Sequence, residues 1–269
     1  MKKILLVVAT AVMACTSVFG QWNSNPAENM LAWPEDRSYY YQEMQMAPDG
    51  RVWIAVNNPA QGRIHTSLQL VDSLGNLKFE EPLVVSDYPT RSWTSCGQIL
   101  FVDRDGNAIV SLNDFRYSPE GVEFENHTVY KISPEGEYLW GEDGLALEGK
   151  EAFPMNSHMS MAQMDDNSYV FTWNSLKDNN NLYEVKMQRI TPEGEFLWNI
   201  EDVILTDPEN KISYTWPTVV DAGMNQAIII YFKGSSYDMY ARKIDFDGSS
   251  AWTEDTRLYR SGWPGNMPA

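Results

Sequence analysis

The feature that most constrains the fold of this chain is a sequence unit that occurs four times. Each unit has an apolar run, a turn with glycine and an aromatic residue four positions after that glycine. A repeat of this length indicates units that each bury their faces against neighbouring units. The glycines are Gly75, Gly136, Gly194 and Gly248, spaced by 61, 58 and 54 residues, and the aromatic residues are Phe79, Trp140, Trp198 and Trp252.

A second motif occurs earlier in each unit, where a short polar turn precedes another apolar run. The turns are Asp49-Gly50, Asp105-Gly106, Asp166-Asn167 and the single Asn225. Glycine, asparagine and aspartate tolerate positive φ, so these turns predict tight hairpins. Each unit is therefore predicted to form four strands, which in the second unit lie near 98–102, 108–113, 127–132 and 137–140.

Four-stranded repeats of about 58 residues predict an all-β, β-propeller-like fold in which each repeat is one antiparallel blade. We expect a lead-in segment at 21–43 and a fifth unit beginning at 260–269. The chain would then be a fragment of a longer protein with an incomplete ring, and the alternative is a complete four-bladed ring. The predicted repeats within 44–259 are approximately 44–97, 98–158, 159–215 and 216–259. The aromatic residues of the first motif (Phe79, Trp140, Trp198 and Trp252) are expected to wedge between adjacent blades.

The first twenty residues have the pattern of a cleavable signal peptide. Lys2 and Lys3 precede an apolar run at 4–14, which is too short to span a bilayer, and small residues precede Gln21. We therefore expect an exported protein that is periplasmic, surface-located or secreted, with no integral membrane span after cleavage. Lipid attachment at Cys15 is a less favoured alternative. Cys96 is then the one remaining thiol, which excludes an internal disulfide.

The net charge of −17 disfavours nucleic acid as a partner. Alternating carboxylates before a glycine, as in Asp103-Arg104-Asp105-Gly106 and Asp245-Phe246-Asp247-Gly248, could offer oxygen ligands to calcium. Neither stretch continues to a distal glutamate at the spacing of a known calcium loop, so plain hairpin turns are preferred. No cofactor is predicted, and calcium stays an alternative.

The Gly-x-x-x-Trp motif resembles the tryptophan-docking motif of quinoprotein-like propellers. No cofactor-binding or metal-binding residue of that family has a match here, so only its architecture is implied. The whole unit, together with residues 21–29, is similar to exported repeat proteins of Bacteroidetes that often carry a C-terminal type IX secretion signal. This resemblance implies location and architecture more than activity. The given sequence departs from that pattern, because no sorting domain follows the repeats.

Candidate binding residues are those near the entries of the units and at predicted strand ends. Exposed aromatic rings suit stacking on sugars, and paired carboxylates suit acid–base chemistry on glycosidic bonds. Further packing between blades and plain surface solvation are the alternatives. No catalytic set is recognisable around the three histidines or Cys96. The candidates are Trp33, Trp93 and Trp216 among the aromatic residues, and Asp114, Asp165 and Asp221 among the acids.

The leading hypothesis from sequence is an exported, non-catalytic binding or surface-interaction module for a glycan or a surface protein. It depends on the repeat, the export signal and the lack of a recognisable catalytic set, and so favours a protein without enzymatic activity. The alternatives are a carbohydrate-active enzyme that uses acidic residues at the propeller face, and a structural envelope protein.

Overall fold

The computed structural model describes residues 40–60, 63–88, 90, 99–153, 156–176, 182–199, 203–207, 209, 211–234 and 238–260. These residues form sixteen β-strands and no helix. The strands group into four antiparallel sheets of four strands each, which confirms the predicted all-β fold of four four-stranded units. The predicted signal peptide and the predicted start of a fifth unit lie outside the described residues.

Within each sheet the strands follow one another in chain order from edge to edge. We number the sheets as blades 1 to 4. Blade 1 contains β1 (Tyr40–Met46), β2 (Val52–Ala60), β3 (Arg63–Val71) and β4 (Leu83–Val84). Blade 2 contains β5 (Ile99–Val102), β6 (Ala108–Asp114), β7 (Asn126–Ile132) and β8 (Leu145–Ala146). Blade 3 contains β9 (Asn156–Gln163), β10 (Tyr169–Leu176), β11 (Tyr183–Ile190) and β12 (Ile204–Leu205). Blade 4 contains β13 (Tyr214–Asp221), β14 (Ala227–Lys233), β15 (Asp238–Ile244) and β16 (Thr256–Tyr259).

The first hairpin of each blade closes at the predicted polar turn. In blade 1 the Ala47 N–H donates to the Arg51 carbonyl at 2.7 Å, and the Gly50 N–H donates to the Ala47 carbonyl at 2.9 Å. Gly50 has a φ of +86°, and Asn167 takes the equivalent place in blade 3 with a φ of +66°. The chemistry of these turn residues therefore sets where the first two strands meet.

The fourth strand of blade 2 is not where the sequence predicts it. Residues 137–140 contribute only an isolated bridge between Tyr138 and Ile132, and the fourth strand is the short pair Leu145–Ala146. The chain leaves the sheet before Trp140 because that ring is buried against blade 3. The prediction failed because the aromatic motif pairs with β7 only briefly, through the Leu139 N–H and the Lys131 carbonyl, before Trp140 turns toward blade 3.

In blades 3 and 4 the first strand begins two or three residues before the approximate start that was predicted for the repeat. Strand β9 begins at Asn156, whereas the predicted boundary lies between residues 158 and 159. Strand β13 begins at Tyr214, whereas the predicted boundary lies between residues 215 and 216. An irregularity in each of these strands interrupts the alternation of apolar and polar residues from which a strand start is read.

Consecutive blades pack face to face along the chain. The first strands β1, β5, β9 and β13, which we call the inner strands, contact one another in that order. Separate apolar clusters fill the spaces between blades 1 and 2, between blades 2 and 3, and between blades 3 and 4. Trp53 of blade 1 illustrates the fit, since it is fully buried and its Nε1–H donates to the Gly106 carbonyl of blade 2 at 2.9 Å.

In blades 1 to 3 the recurring aromatic residue contacts the glycine turn of the next blade, that of Gly136, Gly194 or Gly248. Trp140 donates from Nε1 to the Pro192 carbonyl at 3.0 Å, and Trp198 donates to the Phe246 carbonyl at 2.8 Å. A β-carbon added to Gly194 would lie 2.9 Å from Trp140 Cδ1, so only glycine permits this approach. Phe79 lies in the same way on the glycine turn of blade 2, and Trp252 of blade 4 is half-buried.

Candidate functional site

Three of the four inner strands, β1, β9 and β13, carry β-bulges at one common place in the repeat. In β9 the pairing with β10 shifts between Ser157 and Ser160, and in β13 the pairing with β14 shifts between Thr215 and Thr218. Strand β1 shifts between Tyr40 and Gln42. Counted back from the first hairpin of each blade, the three bulges fall at the same position. Bulges re-aim side chains and are frequent beside active sites.

Two bulge residues have backbones in the left-handed region although neither is glycine. His158 has a φ of +52° and Trp216 a φ of +51°. Bulky residues rarely adopt this conformation, which costs on the order of 1–3 kcal/mol and persists only where the surroundings impose it. Such strain is concentrated at ligand-binding and catalytic sites, so the two bulges mark this part of the molecule as the candidate site.

The two bulges border an open pocket of about 300 Å³ between three inner strands. This volume is at the small end of the range for ligand pockets, roughly 300–1,000 Å³. Its walls combine aromatic rings, an imidazole and two hydroxyl groups, as expected for a neutral polar ligand with an apolar face. The lining residues are Phe101, His158, Met159, Ser160, Trp216, Pro217 and Thr218.

The rings of His158 and Trp216 form the centre of this pocket. Their centroids are 5.6 Å apart, and the Trp216 indole is backed edge-on by Phe232 at 5.5 Å. His158 Nδ1 lies 2.9 Å from the Ser157 hydroxyl. Burial lowers the pKa of His158, so the imidazole is neutral near pH 7 and can exchange hydrogen bonds with a neutral ligand.

Glu43 occupies in β1 the repeat position that Ser160 holds in β9. Each side chain accepts a hydrogen bond from the next blade: Glu43 Oε2 from the Leu100 N–H at 2.5 Å, and Ser160 Oγ from the Val219 N–H at 3.1 Å. Glu43 therefore lies beside β5, where its partner Leu100 directly precedes the pocket residue Phe101 in the sequence. Burial raises the pKa of Glu43, although the hydrogen bond from Leu100 opposes that rise. A raised pKa is one property that a general acid requires.

The three predicted aspartates are not brought together. Asp114 ends β6, is fully buried and pairs with Arg116 Nη2 at 2.7 Å. Asp165 and Asp221 lie at the opposite end of the blades, beside the first hairpins, and are exposed. Asp165 accepts a hydrogen bond from the Met224 N–H at 2.9 Å, and Asp221 accepts one from the Gly223 N–H at 3.0 Å. In the structure these carboxylates hold turns and an ion pair in place.

Of the three predicted aromatic candidates, Trp216 lies in the pocket, whereas Trp33 and Trp93 lie outside the described residues. Sequence reasoning missed His158, Ser160 and Glu43, because no residue type signals a bulge. It also missed a buried asparagine that recurs at one position of the second strand, at Asn57, Asn113 and Asn174. The alignment of the repeats offered that signal, since the residue stands in three of the four units.

Within the described residues, no cluster of three or more His, Cys, Asp or Glu side chains could hold a metal ion. Asp103 of the first calcium candidate accepts hydrogen bonds from the Asp105 and Asn107 N–H groups of its own turn. Asp247 of the second candidate accepts hydrogen bonds from the backbone and hydroxyl of Ser249. Among the described residues, none forms a helix that is long and apolar enough to cross a membrane.

The fold is similar to solved structures that include sugar-processing enzymes. An alpha-L-arabinanase from Penicillium chrysogenum, complexed with arabinobiose, matches with a TM-score of 0.54 and 15% identity, over 84% of this chain and 69% of that one. A GH93 alpha-L-arabinofuranosidase of Fusarium graminearum, with arabinobiose, matches with a TM-score of 0.54 and 13% identity, over 85% and 69% of the two chains. A protein of unknown function from Dyadobacter fermentans matches with a TM-score of 0.54 and 10% identity, over 87% and 72%. No protein-family model matches the sequence, and no curated protein matches it either.

These comparisons correct the leading hypothesis from sequence. A non-catalytic binding module was favoured, and enzymatic activity was disfavoured, but solved structures that share the fold are an arabinanase and an arabinofuranosidase. At these identities the likeness shows the fold alone. A surface protein as partner stays a prediction from sequence.

Proposed function

We propose that this protein is a carbohydrate-active enzyme whose glycan site is the pocket between the inner strands. The observation that carries the proposal is the pair of bulges at His158 and Trp216. Both residues have left-handed backbones, and both line the same open pocket. Strain of this kind is retained where a side chain must point in a particular direction. The similarity of the fold to an arabinanase and an arabinofuranosidase supports the same conclusion.

The pocket suits a neutral sugar ring. The indole of Trp216 offers an apolar face, while the hydroxyl groups of Ser160 and Thr218 and the imidazole of His158 offer hydrogen bonds. The net charge of −17 disfavours anionic polysaccharides by long-range repulsion. Arabinose-containing oligosaccharides are the first substrates to test, because two of the similar solved structures hold arabinobiose.

Glu43 is our candidate for the general acid that protonates the leaving-group oxygen. Among the described residues of the four inner strands, Glu43 and Asp221 are the carboxylic acids, and Asp221 lies at the hairpin end of β13. Glu43 has a raised pKa, and it holds in β1 the repeat position that the pocket residue Ser160 holds in β9. A catalytic acid of a glycosidase needs this raised pKa.

Replacement of Trp216 by alanine tests the binding site. Loss of the stacking surface should weaken binding of arabino-oligosaccharides at least tenfold, as measured by isothermal titration calorimetry, since a good aromatic contact contributes on the order of 1.4 kcal/mol. The control is Tyr259→Ala, which removes a partly exposed ring from β16 on the far edge of blade 4. Equal affinity of Trp216→Ala and wild type would exclude the pocket as the glycan site.

Replacement of Glu43 by glutamine tests the catalytic acid. The amide keeps an acceptor for the Leu100 N–H but cannot donate a catalytic proton, so turnover of linear and branched arabinans and of aryl glycosides should fall by roughly 10²–10⁴. Glu195→Gln, a change at an exposed turn residue, is the matched control. Full turnover by Glu43→Gln would remove Glu43 from the mechanism. Failure of the wild type to cleave any substrate in a broad glycan panel would overturn the enzyme proposal itself.

We also propose that the protein is exported, as its first twenty residues and its resemblance to type IX-associated proteins of Bacteroidetes suggest. The test is the N-terminal sequence of the protein recovered from cells and medium. A first residue of Gln21 would support cleavage as predicted, and an acylated Cys15 would support the lipoprotein alternative. A retained Met1 on protein recovered from the cytoplasm would contradict export.

A further inference from the structure

The side chain of Asn174 connects blade 3 to the bulge of blade 4. Its Oδ1 accepts a hydrogen bond from the Trp216 N–H at 2.7 Å, and its Nδ2 donates to the Tyr214 carbonyl at 2.9 Å. Nδ2 also lies 3.4 Å from the Glu184 carbonyl, and the residue is 1% exposed. The amide of Asn174 thus supplies the hydrogen bonds that β14 does not supply where the pairing of β13 is interrupted.

Trp216 needs such support for two separate reasons. Its φ is positive, and the residue after it is Pro217, which ordinarily restricts the preceding residue to extended conformations. Without a fixed partner for its N–H, the segment would relax toward an extended strand and the indole would leave the pocket. We propose that Asn174 is a positioning residue that holds the Trp216 ring in its ligand-binding orientation. This inference rests on the proposed function, since it concerns how Trp216 is presented to a glycan.

A second buried asparagine serves as a control for this residue. Asn126 of blade 2 is also fully buried, and its Nδ2 donates to the Gly149 and Glu151 carbonyls of its own blade. At the position of Asn174, blade 4 has Phe232, whose ring packs edge-on against Trp216. Asn174 and Phe232 therefore hold the backbone and the ring of Trp216 respectively.

The first experiment compares Asn174→Ala with Asn126→Ala by indole N–H NMR. The Trp216 resonance is identified as the one that disappears in Trp216→Phe. We expect Asn174→Ala to shift or broaden that resonance and to weaken arabino-oligosaccharide binding at least fivefold. Asn126→Ala, which removes an equally buried amide away from the pocket, should leave both unchanged. An unmoved Trp216 resonance together with unchanged affinity in Asn174→Ala would overturn the proposal.

A graded variant and a measurement on the wild type cover the case in which Asn174→Ala does not fold. Asn174→Asp keeps an acceptor for the Trp216 N–H and loses the donor to Tyr214, so its Trp216 resonance should lie nearer to that of the wild type. In the unmodified protein the Trp216 amide should exchange slowly with deuterium because its partner is buried, and fast exchange would contradict the hydrogen bond.

The two proposals fail in different ways. If the wild type binds no glycan while Asn174→Ala still moves the Trp216 resonance, the proposed function fails and the positioning role stands. If the wild type binds glycan with its pocket and Asn174→Ala changes neither resonance nor affinity, the positioning role fails alone.

Discussion

At the scale of single residues, the most unusual environment belongs to His127. The side chain is fully buried, and its ring lies edge-on to Trp173 at 5.8 Å. Neither ring nitrogen has a hydrogen-bond partner among the described residues. Burial, and secondarily the charge of Lys186, lower the pKa of His127 to about 3. The folded protein therefore holds a neutral imidazole over a pH range in which the unfolded chain binds a proton.

The stability of the protein should therefore decrease as the pH falls through the ordinary histidine range. Between pH 7 and pH 5 the unfolded state takes up a proton at His127 that the folded state excludes, which lowers the free energy of unfolding by about 2 kcal/mol. The loss continues as the pH falls to about 3, the pKa in the folded state. His127→Phe should remove this component, and urea denaturation of both proteins at pH 7 and pH 5 measures it. The same loss in wild type and variant would show that His127 is not responsible.

At the scale of elements, the turns that contain glycine differ in whether the neighbouring blade leaves room for a side chain. Gly50 closes the first hairpin of blade 1, and Gly194 lies in the turn after β11 of blade 3. The two turns have the same backbone hydrogen-bond pattern, and their glycines have φ values of +86° and +96°. A β-carbon at Gly50 would meet no atom within 4 Å, whereas one at Gly194 would press on Trp140. The pair therefore separates the cost of a positive φ from the cost of a steric clash between blades.

Alanine at Gly194 should destabilise the protein more than alanine at Gly50. The backbone cost is about 1–2 kcal/mol at both positions, and overpacking against Trp140 adds roughly 1–3 kcal/mol at Gly194. Chemical denaturation of the two variants measures the difference. If both variants lost the same free energy of unfolding, the ring of Trp140 would yield without cost and the contact would be unimportant for stability.

The sequence allowed most elements to be predicted because their signals are local. Asp-Gly and Pro-Glu-Gly turns fix hairpin positions by the φ values that their residues tolerate, and the spacing of those turns predicts four blades. The fourth strand of blade 2 has only Leu145 and Ala146, too few residues to form a pattern. The bulges at His158 and Trp216 depend on contacts from other strands, such as that of Asn174, which no local pattern encodes.

At the scale of the whole molecule, the blades are coupled mainly to their neighbours in the chain. The principal contacts between sheets join blade 1 to 2, 2 to 3, and 3 to 4. Trp140 and Trp198 are 7% and 5% exposed, and each inserts into the blade that follows it. Stability in such an array is approximately a sum of blade terms and nearest-neighbour terms.

Loss of the Trp140 or Trp198 ring should therefore change the cooperativity of unfolding as well as the stability of the protein. Trp140→Ala should cost about 3–5 kcal/mol and separate unfolding into two steps, because it weakens the middle interface between blades 1–2 and blades 3–4. Trp198→Ala should release blade 4 alone while the other three unfold together. Calorimetry and hydrogen exchange of the two variants distinguish these patterns. A single sharp transition in Trp140→Ala would mean that coupling extends beyond neighbours.

The docking of each ring onto the next glycine turn also gives the molecule a direction. Every blade presents an aromatic ring on one side and a glycine turn on the other, so the interface has the same form at each step. A gene that encodes such a unit can gain or lose a copy without inventing a new contact surface.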